Sequence, residues 1–144
     1  MALPFKNSVA VTMAGYGCPS FKGSATQTFS ATGSTTMVIG ATTTTPSASG
    51  TPFNPYGGPA PTGGMWHLRV TNMTTTATVA VVVQVTDGTN IWVVGILPAN
   101  AAGPGYLDYI GDFQTDVNIT AVNFVVTING TATSVPTDIE VALT

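Results

Sequence analysis

The sequence predicts an all-β protein, an antiparallel β-sandwich with a jelly roll among the arrangements open to it. Three observations carry that prediction. Val, Ile and Thr make up about a third of the 144 residues, while Glu, Lys and Arg together number four. β-Branched side chains suit a pleated, half-buried surface. From Trp66 onward, apolar and polar residues alternate with a period of two, which is the strand period. Turn chemistry punctuates these runs every ~8–12 residues, the spacing of a sandwich or barrel.

The first 65 residues are less regular. Short strands are expected over Val9–Met13, Thr26–Ala31 and Thr35–Ile39, separated by small and polar residues. Residues 42–64 then carry prolines at 46, 52, 55, 59 and 61, which exclude regular helix and central strand. So long a segment without structure of its own is uncommon inside a compact domain and is usually functional or a linker. Phe53 and Tyr56 are apolar anchors that a purely solvated linker does not need. One reading is a surface loop with both aromatics tucked onto its own domain. The other is an extended arm that docks on a neighbouring subunit through Phe53, Tyr56, Pro52 and Pro55. The expected division is an N-terminal, strand-poor region over 1–65 and a sandwich core over 66–144, although one domain spanning the chain fits the length as well.

In the second part, Trp66, Leu68 and Val70 alternate with His67, Arg69 and Thr71. A polar turn follows over 72–77. Thr78–Thr86 sets Val79, Val81, Val83 and Val85 on one face, and Asp87-Gly88-Thr89-Asn90 turns the chain into a partner strand from Ile91 to Leu97. Pro98 is expected to end that strand. After a connection over 99–105, a strand is expected at Tyr106–Ile110 and another over Val117–Ile128. Asn129-Gly130 tolerates positive φ and predicts a hairpin into the last strand, Val135–Leu143.

Charge is scarce: Lys6, Lys22 and Arg69 against five Asp and one Glu, 6% of the chain, for a net charge of −3. Average domains carry roughly 25%. So few cations argue against nucleic acid as a partner and against polybasic attraction to a membrane. The most apolar stretch, Ala77–Val85, falls far short of the ~20 residues of a membrane-spanning helix. The N-terminus makes a poor export signal, with one basic residue, Pro4 and a short apolar run, so synthesis in a host cytoplasm is expected. With that expectation the glycosylation patterns at Asn72, Asn118 and Asn129 carry no weight. Cys18 is the sole cysteine and excludes an internal disulfide.

Candidate chemistry is thin. His67 is the sole histidine and lies on the polar face of its strand, so a solvent-facing or interface position is expected. No Gly-x-Ser-x-Gly elbow accompanies it. Asp108, Asp112 and Asp116 recur every fourth residue, but Gly111 and the β-branched neighbours argue against a helix that would align them. Residues 57–64 lack the Lys-Ser/Thr of a phosphate loop. No catalytic residue, metal site or cofactor is expected. Charges normally keep a monomer soluble and blunt its sheet edges. Their scarcity points to a surface covered by copies of the chain, a trimer by expectation, or by a larger lattice.

Residues 66–144 resemble the small β-sandwich accessory proteins on virions of tailed bacteriophages, the capsid decoration or cement proteins. The resemblance lies in Leu68-Arg-Val-Thr-Asn72, the Thr-rich turn, and the Val-rich strand ending Val85-Thr-Asp-Gly88. It continues in Ile96-Leu-Pro-Ala99 and Tyr106-Leu-Asp108. It implies a non-enzymatic virion protein whose partners are itself and the major capsid protein or another virion protein. A tail, neck or head-fibre component is the alternative within that class. From another class, a carbohydrate-binding module would use Trp66, Trp92, Tyr56, Tyr106 and Tyr109 as stacking platforms. A hydrolase stands third.

Overall fold

The computed structural model describes residues 21–73, 78–101, 105–130 and 134–144. The strand expected at Val9–Met13, Cys18 and part of the 72–77 turn lie outside them. Among the described residues ten strands run in chain order: β1 (Phe21–Phe29), β2 (Gly33–Gly40), β3 (Thr44–Thr45), β4 (Gly50–Thr51), β5 (Gly63–Met73), β6 (Thr78–Thr86), β7 (Ile91–Ala101), β8 (Gly105–Gln114), β9 (Ala121–Asn129) and β10 (Val135–Leu143). They form two five-stranded antiparallel sheets, β4-β1-β10-β5-β8 and β3-β2-β9-β6-β7.

The long strands pair as β1 with β10, β2 with β9, β5 with β8, and β6 with β7. The chain is thus one double ribbon, wound so that successive pairs fall in alternate sheets, with the β6–β7 turn at its tip. That winding is a jelly roll.

The alternation read from sequence sets the core. Val79, Val81, Val83 and Val85 on β6 face Val122, Phe124, Val126 and Ile128 on β9, all buried. Trp66, Leu68 and Val70 on β5, and Ile139, Val141 and Leu143 on β10, fill the layer from the other sheet.

Several expectations need correction. The boundary at 65/66 falls inside β5, and β1 and β2 pair with β10 and β9. Met37, Ile39 and Phe53 also share one core with Val122 and Phe124, so the described part of 1–65 belongs to the sandwich. Asn129-Gly130 does not make a hairpin. Gly130 adopts φ +96°, but β9 and β10 lie in different sheets, so its left-handed backbone turns a corner between layers. Strand β7 continues through Pro98, which an edge strand tolerates because a proline there removes no hydrogen bond that the sheet needs. Strand β9 starts at Ala121, not Val117. Residues 42–64 hold a 3-10 turn at Ser47–Ser49 and two two-residue strands, β3 on β2 and β4 on β1.

Candidate functional site

The chemistry-bearing residues gather on the outer face of one sheet. Cross-strand register builds rows over β1, β10, β5 and β8: Thr26–Asp138–Arg69–Asp108, then Ser24–Glu140–His67–Ile110, then Lys22–Ala142–Met65–Asp112. Arg69 donates from its guanidinium to Asp138 Oδ2 at 3.0 Å, with both side chains about a third exposed. His67 Nε2 pairs with Asp108 Oδ1, and Nδ1 faces Glu140 Oε2 at 3.6 Å.

His67 was expected to face solvent or an interface. It does occupy the outer face, yet it is 3% exposed. Strand β5 is flanked by β10 and β8, and the carboxylates of Glu140 and Asp108 close over the ring from either side. Alternation along one strand reveals the face of a residue but not the neighbours beside it. Asp108 and Asp112 share a face because a spacing of four is also even, which suits a strand, whereas Asp116 lies in the turn after β8. Among the described residues no group of three or more His, Cys, Asp or Glu is arranged to hold a metal ion. Both ring nitrogens of His67 face carboxylates.

The opposite sheet is chemically different. None of β2, β3, β6, β7 and β9 contains a charged residue. The outer side chains of β7 are exposed and apolar: Ile91 60%, Val93 54% and Ile96 71%. The remaining described charges outside the two sheets are Asp87, at the β6–β7 turn, and Asp116. Asp87 Oδ1 accepts from the backbone N–H groups of Asn90 at 2.6 Å and Thr89 at 2.8 Å. Those two bonds, Asn90 foremost, hold the carboxyl below its ordinary value of 3.8.

At one end of the sandwich the loops are tied together. Ala41 N–H donates to Thr120 O, Thr120 N–H to Thr86 O, Asn54 N–H to Ala41 O and Ile119 N–H to Pro61 O, each at 2.8 Å. The Pro/Gly loop enters this end with Phe53 2% exposed and Asn54 8% exposed. Phe53 therefore packs inside its own core, over Gly23 of β1, and cannot anchor an intermolecular contact in the folded chain. Pro52 is half-buried and Pro55 exposed. Tyr56 stands 99% exposed between them and Gly57 and Gly58, whose φ values of +78° and +107° shape the tip. The result is a finger rooted by Phe53 and tipped by Tyr56.

Of the aromatic platforms considered for sugars, Trp66 is 5% exposed and belongs to the core, while Trp92 and Tyr109 are partly buried against it. Among the described residues no helix is long and apolar enough to cross a membrane.

No family model matches the chain, and no curated protein matches it. Two solved structures are similar to it at 12% identity. A crystal structure of the Yersinia pseudotuberculosis-derived mitogen aligns over 85% of this chain and 86% of that one, with a TM-score of 0.43. A cryo-EM structure of Broad Bean Stain Virus aligns over 88% of this chain and 85% of that one, with a TM-score of 0.42.

Proposed function

We propose that this chain is a non-enzymatic structural protein of a virion, a decoration or cement subunit that binds the outer surface of a bacteriophage capsid and associates with its own copies. One observation carries the reading: among the described residues every charge borne by a strand lies on one sheet, while the strands of the other have none and expose Ile91, Val93 and Ile96. A free monomer keeps mixed charge over its whole surface. Covering an uncharged face desolvates no ion, so that part of the cost of assembly is absent there.

The capsid contact in this reading is the finger at Pro55-Tyr56. An exposed tyrosine on a loop already fixed by its own root binds with little ordering cost, and tyrosine is enriched at binding hot spots. The test is co-sedimentation of the purified chain with capsids of its own virus. Saturable binding, weakened at least tenfold by Tyr56→Ala, is the expected result. No co-sedimentation at any protein concentration, with the chain folded, sinks the proposal. A glycan array checks the carbohydrate-binding reading, which has lost Trp66 to the core.

A further inference from the structure

We infer that the outer face of the β2-β9-β6-β7 sheet is where this chain packs against a second copy of itself, face to face about a two-fold axis. The inference rests on the reading of the chain as an assembly subunit and names the face through which its copies meet.

Register lays out that face in rows. Ile96, Val82, Val125 and Thr36 stand side by side across four strands, and Val93, Gln84, Asn123 and Val38 form the next row. The apolar side chains concentrate on β7, at the edge of the sheet. Sheet edges are ordinarily protected by charged residues, above all Lys. The eleven residues of β7 include none.

Charge selects the occupant. On the opposite sheet Asp108, Asp112, Asp138 and Glu140 outnumber Lys22 and Arg69, so pairing that face with itself would set carboxylate against carboxylate. A chain of net charge −3 can meet its own copy without like-charge repulsion on the β2-β9-β6-β7 face. The polar groups in its rows are compatible with a symmetric mate, since Gln84 and Asn123 each carry both a donor and an acceptor. A two-fold contact uses the same patch on both copies, so this self-compatibility is the property it requires.

Area is sufficient only if the whole face is used. Four strands ~4.8 Å apart and ~30 Å long present about 600 Å² per copy. Two copies remove about 1,200 Å², above the ~1,000 Å² expected of a specific interface. Sheets packed in this way lie ~10 Å apart with strand directions within ~30°. Self-association then takes the form of a pair rather than the trimer expected from composition.

The test is light scattering on the full chain alone, with no capsid present, at micromolar concentration. The expected mass is that of two 14.6 kDa chains. Ile96→Lys, at a position 71% exposed, should leave the circular dichroism unchanged and weaken the pair at least tenfold. Asp112→Lys on the opposite sheet should leave the pair intact. Val93→Lys repeats the measurement if Ile96→Lys does not fold. Deuterium exchange of the unmodified chain supplies an independent readout, slowing in β7 and not in β8 as the pair forms. A mass of one or of three chains, or a pair that survives both lysine substitutions, overturns the inference. Capsid co-sedimentation is scored separately. A single-chain mass with capsid binding intact removes the two-fold contact and leaves the proposed function. A pair that ignores capsids does the reverse.

Discussion

Trp66 meets Phe124 edge to face, with ring centroids 6.2 Å apart and planes at 81°. Trp66 belongs to β5 and Phe124 to β9, so the contact bridges the two sheets near the middle of the core. This geometry sets the positive edge of one ring against the negative face of the other and adds about 0.5–1.5 kcal/mol to simple burial. The indole also lies against Gly95 of β7 and Gly111 of β8, two strands that give it room by carrying no side chain there.

Gly111→Ala should therefore destabilise the fold. A Cβ at position 111 would collide with the indole Cζ2 and lie 2.7 Å from Nε1, and one at Gly95 would lie 2.6 Å from Cζ2. Overpacking of this kind costs about 1–3 kcal/mol. Urea denaturation of Gly111→Ala and of Gly111→Ala/Trp66→Leu checks the cause. The smaller side chain should recover part of the loss in the double variant relative to the sum of the single ones. Additive losses would show that the two residues do not press on each other.

Much of this core was legible in the sequence, because alternation records which face a strand residue occupies. Val79 to Val85 and Val135 to Leu143 read directly as strands with the correct inner faces. One pairing was legible, the β6–β7 hairpin turned by Asp87-Gly88-Thr89-Asn90, but the partners of the other strands were not. The Asn129-Gly130 pair advertises a left-handed turn, and the chemistry is the same whether the chain returns in its own sheet or crosses to the other. Phe53 sits in a proline-rich loop with no periodicity around it, so nothing local marks it as core. His67 carried a signal for its outward face, but its burial depends on Glu140 and Asp108, which are distant in sequence. The uncharged sheet was equally hidden, since the strands that compose it are scattered from residue 33 to residue 129.

His67→Leu should cost about 1–3 kcal/mol of stability, the range for removing one partner of buried polar groups. The side chains of Asp108 and Glu140 are 27% and 22% exposed, which moves the expectation toward the lower end. Without the imidazole, the two carboxylates face each other across an apolar side chain. Adding Asp108→Asn should return part of the loss by removing one of the charges. Denaturant midpoints of the two variants decide it, and a single variant as stable as the parent would show that the cluster contributes nothing.

Asp87 should loosen the β6–β7 turn in acid. Its folded-state value lies below the ordinary 3.8, so its stabilising contribution is fully present above that pH. The contribution is lost as pH falls through the folded value, when the protonated carboxyl no longer accepts strongly from Asn90 and Thr89. An NMR titration should show the Asn90 and Thr89 amides moving together, with a midpoint below 3.8. Asp87→Asn should abolish that movement. A midpoint at or above 3.8 would contradict the hydrogen bonds as its cause.

Phe53 and Tyr56, three residues apart, should separate folding from binding. Phe53 is 2% exposed and packed in the core, so Phe53→Ala should cost about 3–5 kcal/mol, the range for a buried phenylalanine. Tyr56 is 99% exposed, so Tyr56→Ala should change stability by less than ~0.5 kcal/mol. The capsid contact predicts the opposite order for affinity. Tyr56→Ala, fully folded, should bind capsids at least tenfold more weakly, a loss of about 1.4 kcal/mol. Replacing residues 55–60 with a short Gly-Ser linker should weaken binding to the same extent while keeping Phe53 and Asn54 as the root of the loop. Unchanged affinity in both variants would reduce the finger to a passive loop, and a large stability loss in Tyr56→Ala would mean that the tyrosine is packed against its own chain.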